Sequence, residues 1–227
     1  MQNLIINEIF YSIQGESLNT GIPTVFVRLT GCPLRCGYCD TSYAFNEGLK
    51  MTFNDILDKI KIYDCANVTV TGGEPLSQKK CFSFLDTLNE FSYKVSLETS
   101  NAVSIENINK NIVIILDIKT PGSGESSKNI IENYQYLKKS DQIKFVICNL
   151  ADYEWTKKYI AQYNLHKICN ILLSPSFGEM DIKVLAENIL KDKLPVRLQA
   201  AAEPGPEKKQ KLEKIMYFRK IESHPCL

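Results

Sequence analysis

No apolar run in this chain approaches the roughly 20 residues that a membrane-spanning helix requires. No strong net charge is present either, with 27 Lys and Arg against 26 Asp and Glu. A balance of +1 gives no electrostatic attraction to nucleic acid or to an anionic membrane, so neither is expected as a partner. The opening Met1-Gln2-Asn3-Leu4 lacks the basic stretch and long apolar segment of a secretory signal. Five of the eight cysteines (Cys65, Cys81, Cys148, Cys169, Cys226) are scattered singly, which is not a disulfide framework. These absences leave a soluble, reducing, cytoplasmic protein as the expectation. What remains is ordinary: 227 residues, 44% hydrophobic, enough for one large domain or at most two with a sizeable core.

The other three cysteines, Cys32, Cys36 and Cys39, fall in one short stretch with the spacing C-x3-C-x2-C. Thiolates are soft ligands suited to zinc, copper(I) or iron–sulfur clusters. A structural zinc site takes four Cys or His ligands, yet the next cysteine is Cys65 and the first histidine is His166. Three thiolates on a four-iron cube leave one iron open to a small molecule. Three free thiols, or half a zinc knuckle, is the plainer alternative. The spacing resembles that of radical S-adenosylmethionine (SAM) enzymes, in which SAM chelates the fourth iron.

Hydrophobic patterning predicts strands near residues 4–13, 24–30, 67–71, 93–98, 112–118, 142–148, 168–173 and 196–199. Helices are predicted near 53–63, 80–91, 126–137, 152–163 and 181–190, the first capped by Thr52 or Asn54. Strands alternating with helices argue for βα units, an α/β fold whose mostly parallel sheet closes wholly or partly into a barrel. In such barrels functional residues gather at the C-terminal ends of strands. The cysteine loop, Thr71-Gly72-Gly73-Glu74-Pro75, Glu98-Thr99-Ser100-Asn101, Asp117-Ile118-Lys119 and Ser174-Pro175-Ser176 all fall there. After Gln199 the composition changes to an alanine run, Pro204-Gly205-Pro206 and a charged stretch. Residues 1–199 therefore read as a core domain, and 200–227 as a peripheral tail.

Several motifs carry two readings. Gly72-Gly73-Glu74-Pro75 is either a plain glycine turn or a place where backbone and one carboxylate meet an amino group, glycine allowing close approach. Asp40-Thr41 offers hard oxygen donors to magnesium, or a helix cap. Gln14, Glu16 and Arg28 are expected at strand ends near the cysteine loop. There Arg28 could grip a carboxylate through two parallel hydrogen bonds, and Gln14 and Glu16 could meet a heterocycle edge; each is equally a surface residue. Asp117 and Lys119 could form a simple surface ion pair. His166 reads as solvated, and Trp155, Tyr153, Tyr159 and Tyr163 as packing on one helix.

Taken together, Tyr11-Ser12-Ile13-Gln14-Gly15-Glu16, Val27-Arg28-Leu29-Thr30-Gly31-Cys32, Cys39-Asp40-Thr41, Thr71-Gly72-Gly73-Glu74-Pro75, Asp117-Ile118-Lys119-Thr120-Pro121-Gly122-Ser123-Gly124 and Leu173-Ser174-Pro175 resemble the 7-carboxy-7-deazaguanine synthase family of radical SAM enzymes. The resemblance implies an abridged barrel and conversion of 6-carboxy-5,6,7,8-tetrahydropterin to 7-carboxy-7-deazaguanine with release of ammonia, a step towards queuosine. It implies a [4Fe-4S] cluster on Cys32, Cys36 and Cys39, and Mg2+ at Thr41. It implies SAM at Tyr38, Asp40, Gly73, Ser100, Lys119, Ser174, Pro175, Ser176 and Phe177. It implies the pterin at Ile13, Gln14, Gly15, Arg28 and Thr71. No catalytic residue beyond cluster and SAM is implied. A reductant such as flavodoxin or ferredoxin and a homodimer complete the picture. One departure stands out: where the family continues Gln-Leu-His-Lys, this chain reads Gln199-Ala200-Ala201-Ala202-Glu203, without the histidine.

Two other functions use the same cysteines. A radical SAM activase would place a glycyl radical on a partner protein and would not need the Gln14 and Arg28 pair. A non-catalytic iron–sulfur or zinc module would need no substrate site.

Overall fold

The structure, a computed structural model, describes residues 2–200. Residue 201 onward, which takes in all of the predicted 200–227 tail but Ala200 and includes Glu203 at the histidine's place, lies outside the described residues. Among the described residues the order is β1 (Asn3–Ile13), β2 (Pro23–Leu29), β3 (Leu49–Thr52), α1 (Phe53–Lys61), β4 (Asn67–Gly72), α2 (Cys81–Glu90), β5 (Lys94–Ser100), β6 (Val113–Asp117), β7 (Gln142–Ile147), α3 (Leu150–Gln162), β8 (Asn170–Pro175), α4 (Ile182–Asp192) and β9 (Arg197–Leu198).

All these strands join one sheet, ordered β3-β1-β2-β4-β5-β6-β7-β8-β9. From β2 to β9 each neighbouring pair is parallel, as βα units dictate. The sheet does not close, since β3 and β9 stay at its two edges. Of the wholly or partly closed barrels that the element pattern allows, this is the part-closed one.

Side chains alternate between the faces of a strand, and here the faces differ in kind. Val25, Val27 and Leu29 on β2, Val68 and Val70 on β4, and Val95 and Leu97 on β5 are buried in one hydrophobic cluster. That cluster also takes in Phe53, Ile56, Leu57 and Ile60 of α1, Phe84, Leu85 and Leu88 of α2, Tyr153 and Ile160 of α3, and Leu185 and Ile189 of α4. The apolar stripes of the helices therefore cover the outer face. The residues in between, Thr69, Thr71, Ser96, Glu98 and Lys144, face inwards and bond to one another or to the segment after β1. A closed barrel fills its interior with branched apolar side chains. This open one has a polar inner face.

Local chemistry sets the helix starts. Thr52, rather than Asn54, caps α1 in a reciprocal box with Asp55. The side chains of Asn149 and Asp181 cap α3 and α4.

Three sequence expectations need correction. Strand β3 went unpredicted; it pairs antiparallel with β1 and extends the sheet by one edge strand. Residues 126–137 form no α-helix but two short 3-10 turns, Ser126–Lys128 and Ile131–Tyr136. Buried Asn133 explains the second turn: its side chain accepts from Ile105 N (3.0 Å) and donates to Val103 O and Asn101 Oδ1 (2.9 Å each). Asn129 likewise bonds both backbone groups of Lys119. Side chains that seek backbone partners elsewhere compete with helix formation. The third correction is direction. β1 runs antiparallel to β2, with Ile6 opposite Leu29 and Ile13 opposite Pro23. Gln14 and Glu16 therefore enter at the N-terminal ends of the parallel strands, opposite the cysteine loop rather than beside it.

Candidate active site

The cysteine loop leaves the C-terminal end of β2. Cys32, Cys36 and Cys39 are half-buried free thiols. Burial pushes up the pKa of Cys32 and Cys36; the neighbouring thiols add to the rise, and Lys119 opposes it. The three sulfurs are thus near enough to feel one another. Among the described residues, no three His, Cys, Asp or Glu converge as a single metal ion requires. A structural zinc site takes four ligands, and Cys65, the next thiol along the chain, bonds Pro23 O at the opposite end of β2. The three thiols therefore suit a cluster better than zinc. The loop is braced. Arg35 donates from its guanidinium to Cys32 O (2.8 Å) and Leu34 O (2.6 Å) and lies 4.2 Å from the centre of the Phe45 ring.

The glycine motif at the end of β4 presses on this loop. A Cβ on Gly73 would sit 2.4 Å from Gly31 O and 2.7 Å from Cys32 Cβ; one on Gly72 would sit 2.3 Å from Leu29 O. Only glycine permits that approach. Glu74 departs from expectation, because its carboxylate does not face an open site. It is fully buried and accepts from Leu76 N (2.9 Å), Thr99 Oγ1 (2.7 Å), Ser100 N (2.7 Å) and Ser100 Oγ (2.5 Å). Burial raises its pKa while these donors pull the other way. Glu74 ties the ends of β4 and β5 together, and Ser100 is engaged in that bond.

Thr41 precedes the 3-10 turn Ser42–Phe45, yet its side chain makes no capping hydrogen bond. Its hydroxyl lies 3.8 Å from Cys39 Sγ instead. Asp40 is exposed.

Beyond the thiols, Lys119 is buried, pairs with Asp117 at 3.0 Å and stands 5.5 Å from the centre of the Tyr38 ring. It is therefore no surface ion pair. Burial lowers its pKa, but Asp117 and the thiols of Cys36 and Cys32 outweigh this and carry it upward. Tyr38 Oη, Asp117 Oδ1 and Ser174 Oγ are buried without a hydrogen-bond partner, as are Gln199 Oε1 and, away from the strand ends on α3, Thr156 Oγ1. Buried polar atoms are normally bonded, so orphans gathered along the strand ends are what a polar ligand would satisfy. At the end of β8, Pro175 pairs with Ile147, buried Ser176 donates to Ile147 O (2.8 Å), and Phe177 is half-exposed.

The inner face carries a second polar group. Arg28 Nε donates to Glu8 Oε1 (2.9 Å), which also accepts from Tyr43 (3.0 Å). Burial weakens the Arg28 charge, but Tyr43, Glu8 and Glu98 hold its pKa above the ordinary value. Glu98 accepts from Gln14 Nε2 (3.2 Å) and from Thr71 Oγ1 (2.8 Å). Its pKa is raised, first by burial and then by Glu16, against Lys144, Thr71 and Arg28. Lys144 pairs with Glu16. The structure thus brings Gln14, Arg28 and Thr71 together around Glu98. Ile13 is half-exposed at the end of β1, and the space around Gly15 is open. Sequence reasoning missed Glu8 and Lys144, and it marked Glu98 only as part of a strand-end motif, assigning it no partner. The available signal was alternation: on β5, Glu98 shares a face with Ser96 and Ser100.

A cavity of about 320 Å³ lies elsewhere, lined by Lys139, His166, Cys169 and Arg197 at the N-terminal ends of β7 to β9. It holds none of the predicted site residues, and His166 is exposed as expected. Trp155 stacks on Tyr159, whose ring lies tilted against Tyr163 at the C-terminal cap of α3, as the helix-face reading predicts.

A part-closed βα barrel with three thiols at the first parallel strand's end defines a radical SAM protein, and residues 26–150 match the Radical SAM superfamily. Membership implies a four-iron cluster and SAM. A relative from Chlorobaculum tepidum named 7-carboxy-7-deazaguanine synthase is 42% identical over 86% of this chain and 90% of its own length. One of the same name from Koribacter versatilis is 40% identical over 85% and 92%. The fold matches the crystal structure of QueE from Escherichia coli with a TM-score of 0.72 at 21% identity, over 89% of this chain and 96% of that one. The chain belongs to the 7-carboxy-7-deazaguanine synthase family. Among the described residues, no helix is long and apolar enough to cross a membrane.

Proposed function

We propose that this chain converts 6-carboxy-5,6,7,8-tetrahydropterin to 7-carboxy-7-deazaguanine with release of ammonia. The observation that carries this reading is the polar inner face, where Arg28, Gln14, Thr71 and Glu98 form one connected group on the strands that also bear the cysteine loop. A cation held by Glu8 suits the substrate carboxylate, because charge-assisted pairs are the strong ones. A carboxylate and an amide side by side suit the amino-pyrimidinone edge of a pterin. Ile13 and Gly15 would contribute from the backbone beside Gln14.

At the strand ends, Cys32, Cys36 and Cys39 would hold the cluster. Tyr38, Asp40, Gly73, Ser100, Lys119, Ser174, Pro175, Ser176 and Phe177 would receive SAM. The unpartnered hydroxyls of Tyr38 and Ser174 support this. When bound, cluster and SAM supply the radical that takes hydrogen from the substrate; the protein supplies placement and electrostatics. Lys119, buried and positive, would meet a carboxylate or a ribose hydroxyl. Glu74 keeps the β4 and β5 ends rigid beneath that ligand.

Mg2+ beside Thr41 belongs to the same proposal, supported by a hydroxyl with no capping duty. So do a flavodoxin or ferredoxin reductant, a homodimer, a cytoplasmic location and a core domain over residues 1–199. The activase reading has less support, since it gives no role to the Arg28 and Glu98 group.

The test is anaerobic reconstitution with iron and sulfide, then incubation with SAM, dithionite and the carboxypterin. Deazaguanine product and ammonia are expected; a full cluster with no product would overturn the reading. Thr41→Ala should keep the cluster but lose the response of turnover to added magnesium. A response equal to that of the unmodified protein would remove magnesium from this position.

A further inference from the structure

The segment joining β1 to β2 is not a free turn. It crosses the inner face of the open sheet and is tied to its far side. Gln14 reaches Thr69 and Glu98 on β4 and β5. Leu18 N donates to Gln142 Oε1 on β7 at 2.8 Å. Gln199, just past β9, donates from Nε2 to Ser17 O (3.3 Å) and Thr20 Oγ1 (3.4 Å). Ser17 is buried with φ of +67°, a conformation that non-glycine residues adopt only when surroundings impose it. The segment is thus a strap across a barrel that strand pairing leaves open.

We propose that Lys144 is the latch of this strap and a positioning residue for the reaction. By holding Glu16 it fixes Gln14 against Glu98, where the heterocycle of the substrate is to be read; this rests on the function proposed above. The charges decide the assignment. Lys144 projects from β7 onto the inner face, where Glu16 of the strap, Asp117 of β6 and Glu98 of β5 are its carboxylate neighbours. The other two inner cations are engaged elsewhere, Arg28 with Glu8 and Lys119 with Asp117. Lys144 is largely buried, while the Glu16 side chain is about a third exposed. Removing Glu16 would therefore leave the buried cation unmatched, and removing Lys144 would leave Glu16 free to turn to water and release the strap. Lys144 is not placed against the reacting atoms. It acts through Glu16 and, two residues earlier, Gln14, whose Oε1 accepts from Glu16 N (3.1 Å).

The test compares the cluster-loaded protein with Lys144→Met and Lys144→Arg. Two readouts are needed: steady-state kinetics with the carboxypterin, and hydrogen exchange of peptides covering residues 14–20. In Lys144→Met, KM for the pterin should rise on the order of tenfold or more, the usual loss for a hydrogen bond to a charged group. SAM affinity and iron content should hold. Exchange should quicken in residues 14–20 and not in the sheet, and Lys144→Arg should restore both readouts. Unchanged exchange in 14–20 would overturn the latch. So would loss of SAM affinity and iron along with substrate binding, because Lys144 would then be a general structural residue. Should the unmodified protein fail to turn over the pterin, the function reading falls by itself. The exchange comparison still decides whether Lys144 holds the strap.

Discussion

On β5, Val95 and Leu97 point out into the layer of helices, while Ser96 and Glu98, one residue along from each, point in towards Thr69 and Gln14. The outer residues stabilise by leaving water, at about 25 cal/mol per Å² of apolar surface. The inner ones are expensive to bury unless they are bonded, and here they are bonded to one another. The contrast teaches that stability and chemistry are separated by side-chain alternation rather than by sequence region. Substitutions one residue apart should therefore fail in different ways.

The largest effect is expected at the rim, where the inner face meets the cysteine loop. Cys32→Ala, Cys36→Ala and Cys39→Ala should each abolish cluster binding and turnover, while Cys65→Ala and Cys148→Ala should not. Iron and sulfide analysis after reconstitution measures this, and a full complement in Cys36→Ala would remove that residue from the ligand set. Next comes the inner face. Arg28→Ala should weaken pterin binding by about 2–5 kcal/mol, part of it from the charge left unpaired, with SAM binding little changed. Titration of both ligands separates the cases, and equal losses would make Arg28 structural.

The outer face should show the reverse. Leu97→Ala removes a fully buried side chain and should cost about 2–5 kcal/mol of stability. Its KM values, measured well below the melting temperature, should stay close to those of the unmodified protein. A raised pterin KM with normal stability would break the division between the faces. The smallest effect concerns pH. The carboxyl of Glu98 sits above the ordinary range because of burial and then Glu16. A raised acid keeps its proton when folded over a window where the unfolded chain has already lost it. The stability it contributes is full below the ordinary glutamate range and is lost as pH climbs through the raised value. Glu98→Gln should thus flatten the decline of Tm above about pH 5. An identical Tm profile in both proteins would show that neighbouring cations fully compensate the charge.

Much of the outer face was legible in the sequence because β-branched runs such as Val68-Thr69-Val70 and helical stripes such as Phe53, Ile56, Leu57 and Ile60 are local patterns. The cysteine loop was legible for the same reason. What stayed hidden depended on distant partners. Nothing near Arg28 announces Glu8, twenty positions earlier on the antiparallel strand. Leu49-Lys50-Met51-Thr52 has one β-branched residue and becomes strand only through pairing with β1. Asn133 looked compatible with a helix until its side chain was seen to be claimed by the 101–105 loop. Glu74 looked like a ligand because the sequence cannot show that Thr99 and Ser100 surround it.

The reversed direction of β1 has a consequence for the order of events. The strap enters from the strands' N-terminal ends, and the cysteine loop leaves from the C-terminal end of β2. Under the proposed placement, a substrate resting on Gln14 and Glu98 lies below SAM, so the two do not enter independently. On that placement the pterin is expected to arrive first. Its conversion to deazaguanine and ammonia removes no net hydrogen, so the abstracted hydrogen is returned and SAM is regenerated rather than spent. SAM must then withdraw before the deazaguanine can leave. Initial-rate kinetics should then be sequential and ordered, with the pterin leading and the deazaguanine competing with it alone. Random addition would mean that the strap itself opens as a second door.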